Sequence, residues 1–469
     1  MKFLPSEPQV AAYIDTGTRR YKGNPFIEAL PPMPATKLDF SVIISEFPQA
    51  PTASDRKLGE IVRLTELETL GDVIYPFEGY AKAALAVSGM MRESYKSRNP
   101  VEILDVKRRH ALAIAGDAEG IYIPSGWVST AKSHLLIANS GIGKSTFARK
   151  FLGGYPQLIQ HQEYQGKPLK HLQLVYIQLR VPNDGSLKGL CLQFFHEIDR
   201  LLGTNYLKEA RVVGTISAMT LLMQKVASAV SLSMIVIDEF QNLRSATGRQ
   251  AEHVKNLIAE LIEWTGVSVL IISTPAIDKV IEGNLGNARK MTTLGETAIG
   301  SMQKDGETWK QFCETLWDYT YVRQKVALSD KTRNAWYEAS AGNTAFAKLA
   351  FMLAQRSEIG GRERIDASSF DAVANTDLLF LRPAIRSLLS NKASALVEFN
   401  DLFISRKYKE LRSLFGIKNE KSRTFGSAEE FEELEDRPAK VAKKKPEGRK
   451  VASYPDFDLP EEDPLLFDS

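Results

Sequence analysis

The nonapeptide Ala138-Asn139-Ser140-Gly141-Ile142-Gly143-Lys144-Ser145-Thr146 follows directly on the apolar run Leu135-Leu136-Ile137. A phosphate chain can be held only where backbone N–H groups turn inward around it. Glycines let the backbone come that close, and the N-terminus of a following helix adds a favourable dipole. The segment therefore predicts a strand, a phosphate-binding turn over Ser140, Gly141, Ile142, Gly143, Lys144, Ser145 and Thr146, and a helix beginning near Ser145. Lys144 would neutralise the β and γ phosphates of ATP, and the Ser145 hydroxyl would coordinate Mg²⁺. Ala138 stands where the GxxxxGK[ST] pattern has its first glycine, which an extended residue with negative φ tolerates.

The runs that alternate with helical periodicity over about 130–275 fix the fold class as α/β. Leu174-Val175-Tyr176-Ile177, Met234-Ile235-Val236-Ile237 and Val267 to Ile272 are apolar on both faces, as in a parallel sheet covered on two sides. Met234 to Ile237 ends in Asp238-Glu239. The carboxyl end of a parallel strand opens on the crevice where ligands sit, so Asp238 would hold Mg²⁺ through water and Glu239 would be the general base toward water. Val267 to Ile272 ends in Ser273-Thr274-Pro275, where Thr274 either hydrogen-bonds the attacking water or caps a turn. Arg289 is read as a cation completing the site from an adjacent protomer, against the plain alternative of a solvated arginine. Lys348, after the turn Gly342-Asn343-Thr344, is a further candidate for the phosphates.

With 469 residues the chain has room for about three units. Charge is balanced, 60 Lys and Arg against 57 Asp and Glu, so its distribution rather than its total has to speak for any nucleic-acid partner. Cys191 and Cys313 are too few for a disulfide framework and suit buried thiols in a reducing cytoplasm. The six histidines lack zinc-ligand spacing. The opening residues read as no signal peptide, and no apolar stretch is long enough to span a bilayer, so no membrane association is expected. Residues 1 to about 55 are proline-rich and read as an extended arm rather than packed structure. Two amphipathic helices, expected over about 56–98, would cap the main domain. Past about 420, Glu429 to Asp436 carries six acids and a basic cluster runs from Lys440 to Lys450, a composition expected to stay disordered when free. The expected units are an N-terminal arm and helical extension (1–125), an α/β nucleotide-binding domain (126–320), a helical domain (321–415) and a charged tail (416–469).

These motifs, with an extra strand between the two phosphate-site strands and a helical lid, resemble the AAA+ superfamily of P-loop NTPases. More narrowly, Tyr21-Lys22-Gly23-Asn24-Pro25-Phe26-Ile27-Glu28-Ala29-Leu30-Pro31-Pro32, Arg98-Asn99-Pro100, Asn183-Asp184-Gly185-Ser186-Leu187-Lys188 and Ile237-Asp238-Glu239-Phe240-Gln241-Asn242-Leu243 are similar to the TnsC family. The similarity runs from about 15 to about 390. It implies an ATP-hydrolysing regulator of DNA transposition: a homo-oligomeric ring or helical filament on target duplex DNA that links a target-recognition protein to transposase subunits. The tail is not covered, which leaves the transposase contact open.

Lys188, Arg244 and Arg249 fall where such a ring projects loops into its pore. They would contact the DNA backbone without reading sequence. Two other classes stay open: a nucleotide-switched scaffold that bridges partners through its termini, and a signalling ATPase without DNA.

Overall fold

The computed structural model describes residues 7–116, 123–247, 249–281 and 285–392, together with Leu396 and Phe399. Their strands are β1 (Gln9–Val10), β2 (Ser133–Ala138), β3 (Leu158–Tyr164), β4 (Lys167–Leu174), β5 (Tyr176–Arg180), β6 (Met234–Asp238), β7 (Ser268–Ser273) and β8 (Glu296–Ile299). Five of them form one sheet in the order β5-β6-β7-β2-β8, with every neighbouring pair parallel. The phosphate-loop strand β2 and the Asp238 strand β6 are thus separated by β7.

Because side chains alternate along a strand, the sheet feeds two cores. Leu136, Ala138, Met234, Val236, Leu270 and Ile272 face one core, which they share with the N-terminal segment and the C-terminal helices. Leu135, Ile137, Ile235, Ile237, Val269 and Ile271 face the other, against the helices Leu187–Leu202, Ile216–Ala229 and Gln250–Glu260. All residues of β2 and β7 are buried, which is why Leu135 to Ala138 and Val269 to Ile272 read as unbroken apolar runs.

Two expectations are corrected here. The first 55 residues are not an unpacked arm: Phe26, Ile27, Leu30, Phe40 and Ile44 are buried in the core. Asn24 caps the short helix Pro25–Glu28, accepting from Phe26 N–H at 3.1 Å, while its amide donates to the Tyr95 carbonyl at 2.7 Å. The prolines interrupt periodicity without preventing burial, since docking on distant residues, not local pattern, holds this segment. Likewise the helix Glu78–Lys96 is no cap. Ala83, Val87, Met90 and Met91 are fully buried, and Ser94 Oγ lies 2.8 Å from Ser233 Oγ beneath the sheet.

The run at 174–177 also divides differently. Leu174 closes β4, and β5 begins at Tyr176. β3 and β4 form a hairpin around Gln165-Gly166, both in the left-handed region, and β1 adds in parallel to β3. Its alternating polar residues gave no apolar run to read.

Helices follow at Glu307–Trp317, Asp330–Glu338, Thr344–Glu358, Ala367–Thr376 and Arg382–Ser390. Trp309, Trp336, Phe351 and Phe370 pack face and edge in their core. Buried Arg63 fastens the N-terminal segment to this unit through a two-pronged ion pair with Glu363 at 2.6 and 2.7 Å, and donates to the Tyr321 carbonyl at 3.1 Å. The charged tail expected over 416–469 lies outside the described residues.

Candidate functional site

The turn after β2 is built as a phosphate cradle. Ala138 is extended and fully buried at the strand end, paired with Ile299, so no glycine is required there. Gly141 and Gly143 have φ of 80° and 106°, and Gly143 leads into the helix Lys144–Leu152. A Cβ on Gly141 would lie 2.7 Å from Asn343 Oδ1, so only glycine admits that approach.

Asn343 is the clamp. Its Nδ2 donates to the Ser140 carbonyl at 2.8 Å, and Ala345 N–H donates to the Gly141 carbonyl at 2.9 Å. The same Asn343 side chain accepts from Ala345 and Phe346 N–H as N-cap of Thr344–Glu358. One residue therefore caps a helix of the C-terminal unit and fixes the loop.

Lys144 is buried, and its ammonium donates to the Ala138 and Asn139 carbonyls at 2.8 and 3.1 Å. Ser145 Oγ donates to Asp238 Oδ2 at 2.9 Å, bringing the loop and the tip of β6 into contact. Thr146 and Ile142 flank this turn and line the adjoining cavity of about 250 Å³ with Ile74, Phe77, Tyr80 and Lys348. Lys348 lines that cavity but its ammonium donates to the Val73 carbonyl, and burial lowers its pKa to about 8. It is Asn343, rather than Lys348, that reaches the loop.

Glu239 has φ 55°, a left-handed conformation that costs a residue with a Cβ roughly 1–2 kcal/mol. Its carboxylate is held at both oxygens. Arg180 Nη2, at the end of β5 opposite Asp238, lies 3.6 Å from Oε1, and Gln241 Nε2 donates to Oε2 at 2.5 Å. Thr274 follows β7, and its hydroxyl is buried with no hydrogen-bond partner among the described residues. The hydroxyl follows the strand that neighbours the Asp238 strand, and Thr274 N–H donates to Gln241 Oε1 at 3.1 Å.

The remaining candidates stand elsewhere. Arg289 is exposed on the short helix Leu285–Met291, and the neighbouring Lys290 carbonyl accepts from Ser133 Oγ at the start of β2, about 17 Å of strand from the phosphate loop. Within one chain it does not meet the site. Lys188 and Arg249 are exposed, and Arg244 is half-buried. Their two loops are stitched together: Asn242 Nδ2 donates to the Val181 carbonyl at 3.0 Å, and a Cβ on Gly185 would lie 2.7 Å from Ala246 Cβ.

The residues fit a nucleotide with Mg²⁺. Ser145 and Asp238 supply hard oxygen ligands, the set that magnesium takes when phosphate oxygens complete the shell. Asn343, Arg180 and Gln241 escaped sequence reading. Only Asn343 left a signal, the Gly-Asn turn before a helix.

The family model described as AAA domain matches residues 128–281. No curated protein sequence matches the chain. Among solved structures, the Walker-type ATPase paby2304 of Pyrococcus abyssi is 11% identical, with TM-score 0.32, over 55% of this chain and 70% of that one. The RuvB Holliday junction branch migration motor of Thermotoga maritima is 12% identical, with TM-score 0.31, over 66% and 93%. PCH-2 of C. elegans is 14% identical, with TM-score 0.33, over 69% and 73%. Likeness this distant says nothing of substrate or partner. The sheet order, the glycine cradle before Lys144 and the domain matched over 128–281 together make this an AAA+ P-loop fold with a parallel sheet.

Proposed function

We propose that the protein is an Mg²⁺-dependent ATPase of the TnsC type, which assembles as a homo-oligomer on target duplex DNA and links a target-recognition protein to transposase subunits. The contact between Ser145 and Asp238 carries the hydrolytic reading, because it joins the phosphate cradle to the only acid pair at a sheet-strand tip among the described residues. Amides of Ser140 to Thr146 and the Lys144 ammonium bind the phosphate chain, and the cavity beside Tyr80 and Ile74 receives the base. When bound, Mg²⁺ would neutralise charge on the β and γ phosphates. Glu239 takes a proton from water as its oxygen bonds to the γ phosphorus and the bond to ADP breaks, with Thr274 orienting that water. Arg289 of a neighbouring copy completes the charge stabilisation.

The DNA part of the reading is supported by Lys188, Arg244 and Arg249, whose two interlocked loops leave the ends of β5 and β6. Binding by backbone contacts is steeply salt-dependent and indifferent to sequence. The transposon assignment rests on the motif similarity alone, and the buried Cys191 and Cys313 thiols suit a reducing cytoplasm.

The test titrates salt against binding to random duplex with an ATP analogue present, and measures ATPase with and without DNA. Salt-sensitive binding, DNA-stimulated hydrolysis and a drop of about 10²-fold or more in Glu239→Gln are expected. No association at any ionic strength would leave a signalling ATPase without DNA. Normal hydrolysis by Glu239→Gln would remove the base assignment.

A further inference from the structure

We propose that Gln241 is a positioning residue for hydrolysis: its side-chain amide sets the Glu239 carboxylate in register with the end of β7, where Thr274 stands. The inference rests on the reading of Glu239 as general base.

The orientation of this amide is dictated by its partners. Gln241 is buried in the turn Phe240–Ser245, and its Oε1 accepts from Thr274 N–H at 3.1 Å and from Ser273 Oγ at 3.1 Å. A backbone N–H can only donate, so the oxygen must face β7. Nε2 is thereby turned to Glu239, where it donates to Oε2 at 2.5 Å. The bond is charge-assisted when the carboxylate is ionised, the form that a general base needs.

One planar amide thus bridges the Glu239 carboxylate and the backbone of Thr274, the two residues read as addressing the attacking water. The second restraint on the carboxylate is looser: Arg180 stands 3.6 Å from Oε1 and its side chain is 67% exposed. Glu239 sits at the start of a strained turn just past β6, and the buried Gln241 supplies the rigid support. A base displaced by about 1 Å loses on the order of 10²-fold in rate.

A plain structural role for Gln241, tying the turn to β7, makes a different prediction. In Gln241→Glu the side chain keeps its shape and can still accept from Thr274 N–H and Ser273 Oγ, but it sets a second carboxyl against Glu239, so the two share one proton and the donor that favours the ionised base is lost. We expect the single-turnover hydrolysis rate of Gln241→Glu to fall by ~10²-fold. Its affinity for a non-hydrolysable ATP analogue should stay within about twofold, since the Gln241 side chain bonds to Glu239, Ser273 and Thr274 rather than to the glycine turn. A wild-type rate in Gln241→Glu would overturn the proposal, and so would a loss of analogue affinity that matches the loss of rate. Should Gln241→Glu not fold, Gln241→Met serves with the same two measurements: slowed turnover with intact analogue binding supports the role, and a wild-type rate overturns it. Glu239→Gln keeps the two readings apart. If that variant hydrolyses normally the base assignment falls, whereas an inactive Glu239→Gln beside a normal Gln241→Glu removes the positioning role alone.

Discussion

Ser145 and Asp238 are joined directly, the serine hydroxyl donating to a carboxylate oxygen at 2.9 Å across 93 residues of chain. The second Asp238 oxygen accepts from Glu239 N–H at 2.8 Å, so both oxygens are held in place. Such a pair is oriented before any metal arrives, which spares the entropy of arranging it during binding.

Ser145→Ala should therefore raise the Mg²⁺ concentration that half-saturates ATPase by roughly 10-fold or more, since a ligand and its orienting bond vanish together. Folding stability should change by less than about 1 kcal/mol, because the group is exposed. Magnesium titrations of initial rate, beside urea unfolding, check both. An unchanged magnesium requirement would contradict the ligand role.

Asn343→Ala removes a helix cap and the clamp on the Ser140 carbonyl in one change. Loss of the cap costs about 1 kcal/mol, and loss of the part-buried bond to the Ser140 carbonyl adds about 0.5–1 kcal/mol. Analogue affinity should drop as well, because the loop is no longer held. Chemical denaturation and an analogue titration on the same preparation would show whether the two losses occur together.

Arg63→Ala removes the two-pronged pair with Glu363 between the N-terminal segment and the C-terminal helices, and leaves that carboxylate with Arg323 at 3.9 Å and the N–H groups of Gly360 and Arg323. Losing charge-assisted hydrogen bonds of this kind typically costs about 1.5–3 kcal/mol. Equilibrium unfolding should register a loss of that order. A cost under about 1 kcal/mol would mean that the pair is no fastening. The Arg63 guanidinium also holds the Glu363 carboxyl down to about 2. A depressed acid stabilises above its unfolded value of 4.5 and loses that contribution as pH falls toward 2.

Acid should weaken the fold before that window opens. His171 is packed against Phe26 at 5.0 Å between ring centres, and burial, helped by Arg109 and His161, lowers its pKa from 6.5 to about 3. His161 and His134 are lowered too, chiefly by burial. Since the unfolded chain binds these protons first, stability should decline from about pH 6.5 downward, by up to ~1.4 kcal/mol per pH unit for each histidine. Unfolding free energy measured from pH 7.5 to 5 checks the slope, and His171→Gln should flatten it.

Much of the candidate site was legible in order along the chain. Gly141, Gly143 and Lys144 announce a cradle because a backbone that must approach phosphate tolerates few other residues. Met234 to Glu239 announces a buried strand ending in charge because the apolar run and its termination are local. The proline-rich start misled for the same reason: Phe26 and Phe40 are buried by partners far along the chain, and no local periodicity encodes that.

The sequence by itself determined the α/β class, the phosphate turn and the acids at the tip of β6, all of which follow from short-range pattern and backbone sterics. Only the tertiary structure decided that Asn343 rather than Lys348 holds the turn, that Gln241 and Arg180 hold Glu239, and that the N-terminal segment is core. Those are contacts between residues brought together by packing, and the free energy that selects them exists only once the sheet and its two cores have formed.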